Sequence, residues 1–232
     1  MKGFLESLVQ VTRTGLLPVI PDFKRISPKD GDLFGPRDPV QCAALMQAAG
    51  APALSVVTEE TQFGGSLELL EDIAGAVPLP VLRKDFIRSG EDLKETRECG
   101  ASAVLLIAAC LEPQKLTELY HQALELGLEP LVEAHTPQEL GQARALGAKL
   151  VGINNRNILQ LELDGGTVET TGALAHLKPQ GSFLISESGI LTPQDAAAAA
   201  VSGADAVLVG TAIWKAGDPV LYYRQLSRAV RR

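Results

Sequence analysis

Leu128-Glu129-Pro130-Leu131-Val132-Glu133-Ala134-His135-Thr136-Pro137-Gln138-Glu139 opens a unit that closes at Leu146-Gly147-Ala148-Lys149-Leu150-Val151-Gly152-Ile153. An apolar run at 128–132 is short enough for a buried strand. Thr136 then offers a helix N-cap, with Pro137 in the first helical position, where its missing N–H costs nothing. Residues 137–146 read as helix, Gly147 as its left-handed terminus, and 150–153 as the next strand. Strand, helix and strand in this order form a parallel crossover unit.

The same grammar runs along the chain. Apolar runs lie at 17–23, 53–57, 79–82, 103–108, 128–132, 150–153, 183–185 and 206–209, with helical stretches such as Pro39–Ala49 and 112–126 between them. The junctions Ala49-Gly50-Ala51, Cys99-Gly100-Ala101 and Ser202-Gly203-Ala204 repeat the helix-ending glycine, and Thr192-Pro193 repeats the cap. Eight strand signals predict a closed (β/α)8 barrel spanning 1–232 as one domain, α/β in class. An open doubly wound sheet normally places a glycine-rich fingerprint after its first strand. Here that place holds Lys24-Arg25-Ile26-Ser27-Pro28.

At 232 residues the chain is close to the roughly 250 typical of this barrel. Aromatics are only 4%, so the core must be built mainly from Ala, Leu, Val and Ile. A net charge of -7 without a basic stripe argues against nucleic acid as partner. No apolar run approaches the ~18 residues of a membrane span. The three cysteines, Cys42, Cys99 and Cys110, are odd in number and far apart, which suits a reducing cytoplasm better than a disulfide framework. His121, His135 and His176 show no metal-ligand spacing, and no metal or organic cofactor is expected.

In such a barrel, polar residues at the carboxyl ends of strands mark the active site. They are concentrated here: Asp22 and Lys24 share one face after strand 1, Lys84 ends strand 3, Glu133 and His135 end strand 5, and strand 6 runs into Asn154-Asn155-Arg156-Asn157. Strand 7 ends in Glu187-Ser188-Gly189 and strand 8 in Gly210-Thr211. The small residues of these last two loops let backbone N–H groups approach an anion, and 211–216 reads as the short extra helix of a barrel phosphate site. Arg83 and Asp85, on the face opposite Lys84, are expected to be structural, as is His135.

The strings Phe23-Lys24-Arg25-Ile26-Ser27-Pro28, Phe63-Gly64-Gly65-Ser66-Leu67, Leu82-Arg83-Lys84-Asp85-Phe86, Leu131-Val132-Glu133-Ala134-His135 and Gly152-Ile153-Asn154-Asn155-Arg156 carry a resemblance to the indole-3-glycerol-phosphate synthase family of tryptophan biosynthesis, over nearly the whole chain. The resemblance implies a carboxy-lyase that closes the indole ring of 1-(o-carboxyphenylamino)-1-deoxyribulose 5-phosphate with loss of carbon dioxide and water. It also implies that Lys84 is the general acid, Glu133 the general base and Lys24 the holder of the substrate carboxylate, with Asn154 and Glu187 orienting groups. Ser27, Ser188, Gly189, Gly210 and Thr211 would hold the phosphate, with Arg156 nearby, and Phe63 and Phe86 would wall the aromatic ring. A cation beside Lys84, for which Lys24 is placed, would suit it to acid catalysis.

The chain departs from the family pattern at particular positions. Asp22 stands for the family's Glu, one methylene shorter, and Pro21 for an Ala, which removes a ladder donor. Lys29-Asp30-Gly31 stands for Ser-Lys-Gly, Ile213-Trp214-Lys215 for Leu-Met-Arg, and only the residues up to Leu16, with a short helix near 4–11, precede strand 1 where the family has a longer extension over the mouth. A divergent paralogue acting on a related substrate, or a non-catalytic barrel that binds a phosphorylated metabolite, therefore remains an alternative. Sugar-phosphate isomerisation would want Cys after strand 1 and Asp after strand 5, where Lys24 and Glu133 stand; a Schiff-base aldolase through Lys84 or Lys24 is a further option. The oligomeric state is open, a monomer included.

Overall fold

A computed structural model describes residues 3–156 and 167–230. Eight parallel strands close on one another: β1 Val19–Phe23, β2 Leu54–Val57, β3 Val81–Lys84, β4 Ala103–Ile107, β5 Glu129–Ala134, β6 Leu150–Asn154, β7 Phe183–Glu187 and β8 Ala206–Val209. The helices are α1 Phe4–Thr12, α2 Pro39–Ala49, α3 Leu67–Ala76, α4 Gly90–Glu98, α5 Pro113–Glu125, α6 Pro137–Ala145, α7 Glu169–Leu174, α8 Pro193–Val201, α9 Thr211–Lys215 and α10 Pro219–Ser227. The arrangement is a (β/α)8 barrel, with a small antiparallel ribbon, Ile26–Ser27 against Gly31–Asp32, after β1.

Alternation along each strand sorts the core. Ala103, Leu105 and Ile107 of β4 point inward to join Ile20, Leu82 and Leu131, while Val104 and Leu106 face the helices. The junction glycines behave as the sequence requires: Gly50, Gly100, Gly147 and Gly203 have φ of 99°, 84°, 64° and 109°. The Thr136 and Thr192 hydroxyls cap α6 and α8 by accepting from the N–H groups of Glu139 and Asp195.

Three details differ from the sequence reading. β3 begins at Val81, two residues into the apolar run at 79–82, and ends at Lys84 as read, with Arg83 and Lys84 pairing with Val56 and Val57. β5 begins at Glu129, one residue into its run, and ends at Ala134, with Glu133 inward-facing and fully buried. Pro21 does lie inside the closed sheet. Its register with Val209 ends the pairing to β8, and pairing to β2 begins at Asp22, so the absent N–H falls at the changeover.

The helix before β1 closes the amino end of the barrel, opposite the mouth. Phe4 and Leu8 insert into the interior cluster, and the Glu129 carboxylate accepts from the N–H groups of Phe4 and Leu5. Among the described residues no helix is long and apolar enough to cross a membrane.

Candidate active site

The strand ends converge on two adjoining hollows that share Asp22, Lys24 and Lys84. One, of about 360 Å³, is walled by Val57, Phe63, Phe86, Leu105 and Ile107 and is mainly apolar. The other, of about 420 Å³, is lined by Arg156, Ser188, Gly189, Gly210 and Thr211. A ligand lying across both would put an aromatic group at one end and an anion at the other, with two lysines at the middle.

Local structure aims each group. The Asp22 carboxylate accepts from Ser55 Oγ at 2.7 Å, both residues being buried. Lys24, also buried, holds its ammonium 5.5 Å from the centre of the Phe63 ring, a cation–π distance. Phe63 is fixed because the Glu59 carboxylate accepts from the N–H groups of Thr61, Gln62 and Phe63. Gly65 lets this loop press on β2: a Cβ there would lie 2.2 Å from the Val57 carbonyl oxygen. Behind Lys84, Arg83 donates to Thr58, the Asp92 carbonyl, Thr96 and Asp85, locking the end of β3 to α4. Arg83 is thus structural, as its outward position implied, whereas Asp85 also borders the apolar hollow.

Lys84 Nζ stands 3.4 Å from Glu133 Oε2 and 3.3 Å from Glu187 Oε2. Its ion-pairing neighbours are carboxylates, and Lys24, the cation that the sequence reading placed beside it, lines the same two hollows. Both carboxylates are fully buried, so Lys84 is the face that this cluster presents to the cavity. Burial raises Glu187 from 4.5 to about 7; the Lys84 charge opposes that rise and Glu133 adds to it. Room for Glu187 comes from Gly152 on the neighbouring strand, where a Cβ would sit 2.0 Å from Glu187 Oε1. Glu133 Oε1 and Asn154 Nδ2 are buried without a hydrogen-bond partner.

In the polar hollow, Ser188 (φ 62°) and Gly189 (φ 70°) are both left-handed, an uncommon backbone for serine. Asn155 holds this turn. Its Nδ2 donates to Ser186 Oγ, the Glu187 carbonyl and the Ser188 carbonyl at 2.9–3.0 Å, and its Oδ1 accepts from Thr171 N and Oγ1. Gly210 and Thr211 begin α9, the short helix read at 211–216. Arg156 lines the hollow, and its N–H donates to Asn154 Oδ1.

Two expected members behave differently. Ser27 borders neither hollow; it is buried in the ribbon, its hydroxyl accepting from Asp30 N–H at 3.2 Å. His135 does more than end a strand: Nε2 lies 3.6 Å from Glu133 Oε1 and Nδ1 3.3 Å from Glu139 Oε2. Asn157 lies outside the described residues. Sequence reasoning passed over Ser55, and although it placed Gly152 and Asn155 in the strand 6 string, it gave neither a role.

A barrel with an acid–base cluster at its mouth, flanked by an anion-sized cradle and an apolar slot, has the layout of a (β/α)8 enzyme of small phosphorylated molecules. The family model for indole-3-glycerol phosphate synthase matches residues 1–226. The indole-3-glycerol phosphate synthase of a Nocardioides species is 47% identical over 209 residues, covering 90% of this chain and 79% of that protein. That of Pyrococcus furiosus is 45% identical over 212 residues, covering 91% and 92%. The chain belongs to the indole-3-glycerol phosphate synthase family.

Proposed function

We propose that this chain closes the indole ring of 1-(o-carboxyphenylamino)-1-deoxyribulose 5-phosphate, a decarboxylating and dehydrating step of tryptophan biosynthesis, with Lys84 as general acid and Glu133 as general base. The observation that carries this reading is the Lys84 ammonium, 3.4 Å from Glu133 and 3.3 Å from Glu187, where the apolar and polar hollows meet.

The carboxyphenyl ring lies between Phe63 and Phe86, its carboxylate toward Lys24, and the phosphate lies at Ser188–Gly189 and Gly210–Thr211. The substrate ketone then falls beside Lys84, which protonates its oxygen as the ring carbon bearing the carboxylate attacks. Carbon dioxide leaves and aromaticity returns. A second proton converts the new hydroxyl into leaving water, while Glu133 takes a proton from the methylene carbon. Glu133 Oε1 is buried and accepts no hydrogen bond, which suits a base. Asp22 and Glu187 keep the lysines oriented, and the spare N–H of Asn154 is a donor for a substrate hydroxyl. The chemistry is proton transfer throughout, and no metal or organic cofactor is assigned. The chain acts as one barrel unit in the cytoplasm, a setting that fits its three free cysteines.

The purified protein given this substrate should develop indole absorbance and fluorescence. Lys84→Met and Glu133→Gln should each lower kcat by about 10²-fold or more with the fold intact. Wild-type protein that is folded yet produces no indole signal would overturn the reading.

A further inference from the structure

The ring closure has a proton imbalance that the Lys84–Glu133 pair does not resolve. The departing water takes its oxygen from the ketone and needs two protons. Only one comes from the substrate methylene, through Glu133, because the carboxylate leaves as neutral carbon dioxide. Each turnover therefore consumes one proton from bulk solvent. With substrate over Lys84, the acid's open face is covered, and both carboxylates that touch it are fully buried.

Behind them runs a line of groups toward solvent. Glu133 Oε1 and His135 Nε2 are two buried polar atoms without hydrogen-bond partners, and they face each other at 3.6 Å. On the other side of the imidazole, Nδ1 is 3.3 Å from Glu139 Oε2. Side-chain exposure rises along the line, from 0% at Glu133 to 14% at His135 and 15% at Glu139. Glu139 is itself held by the His135 N–H and the Thr136 hydroxyl, so the imidazole is clamped from α6.

We propose that His135 is a proton relay that returns to the Lys84–Glu133 pair the one proton consumed in each cycle. The proposal rests on the reaction assigned above. The Nε2 proton of the imidazolium passes to the Glu133 carboxylate, which hands it on to the neutral Lys84 amine and is left a carboxylate again. The ring is then neutral and keeps its other proton on Nδ1, facing Glu139, and a proton from bulk rejoins it at the vacated Nε2. Each transfer moves one proton, and the cycle takes one proton from bulk. His135 does not touch substrate, so it is a relay and not a catalytic residue.

The electrostatics agree with this direction. Burial disfavours the imidazolium, but the hydrogen bond to Glu139 and the charges of Glu133, Glu139 and Glu187 outweigh it and raise the His135 pKa above its ordinary value. The charged groups acting on the ring thus come from its own strand, from α6 and from β7. Cys110, after β4, feels Glu133 and Glu139 and belongs to the same surroundings.

His135→Asn and Glu139→Gln test the relay under stopped flow with saturating substrate and a pH-indicator dye. Wild type should take up one proton per indole formed, in step with product. In His135→Asn, kcat should fall by about tenfold above neutral pH with KM unchanged, uptake should control the rate, and added imidazole should restore it. Glu139→Gln should give the same pattern in milder form. Unchanged kcat in both variants, or a loss that neither imidazole nor low pH relieves, overturns the relay. Wild type that forms no indole in the same series overturns the reaction itself, so the two failures are separable.

Discussion

Trp214 Nε1 donates to the backbone carbonyl of Asp22 at 2.6 Å, joining α9 to the end of β1 across 192 residues of sequence. Both residues are departures from the family pattern, and they touch. A second pair of departures also meets: Lys215 forms an ion pair with Asp30. Trp214 further packs on Phe23 and Phe34, with ring centres 4.7 Å away in each case. The altered positions of α9 therefore contact the altered positions in and after strand 1.

Trp214→Phe keeps most of the apolar contact and removes the donor. It should cost about 1–2 kcal/mol of stability in urea unfolding. Combined with Asp22→Glu, its effect on kcat should depart from additivity by more than about 0.5 kcal/mol. Strict additivity would show that the bond does not position Asp22.

Gly152→Ala should act on a side chain that it does not replace. The new methyl would overlap Glu187 Oε1, so the carboxylate must swing away from Lys84. A displacement of about 1 Å in a catalytic group can cost about 10²-fold in rate. Because the damage runs through Glu187, adding Glu187→Gln should lower kcat little further. A product of the two separate losses in the double variant would refute this route.

The raised pKa of Glu187 makes stability depend on pH in a stated direction. Between its unfolded value near 4.5 and its folded value of about 7, the folded chain binds more protons than the unfolded one. Stability from this group is thus highest at low pH, declines as pH rises through that window, and stays reduced above it. Glu187→Gln should melt a few degrees higher than wild type at pH 8 and show no such gain at pH 4. Parallel melting curves across that range would contradict the assignment.

Asn155→Ala removes the donors that hold the left-handed turn at Ser188. Its main kinetic effect should be on KM, raised about tenfold, and competitive inhibition by inorganic phosphate should weaken in parallel. Stability should drop by about 2–4 kcal/mol, because buried Thr171 and Ser186 each lose their bonds to Asn155. Wild-type phosphate inhibition in this variant would place the anion elsewhere.

The barrel was legible because parallel strands buried on both faces read as short apolar runs, each followed by a helix with its cap and closing glycine. The inward acids and bases were legible as well, since Asp22, Lys84, Glu133 and Glu187 each interrupt such a run at its carboxyl end. What escaped depends on register between strands. Nothing local says that Gly152 must be small; that follows from its place beside Glu187. His135 read as a merely structural strand end because its partners are two residues back on the same strand and one turn into the next helix. Ser27 matched a family string, yet the ribbon turns its hydroxyl to Asp30, away from both hollows.

The packed barrel interior, completed at the amino end by Phe4 and Leu8, makes the site a cup. Reactant, released gas and the finished indole then share one doorway. An occupied cup cannot reload, so the product should compete directly with substrate, and the pace of emptying sets a ceiling on turnover however fast the ring closes.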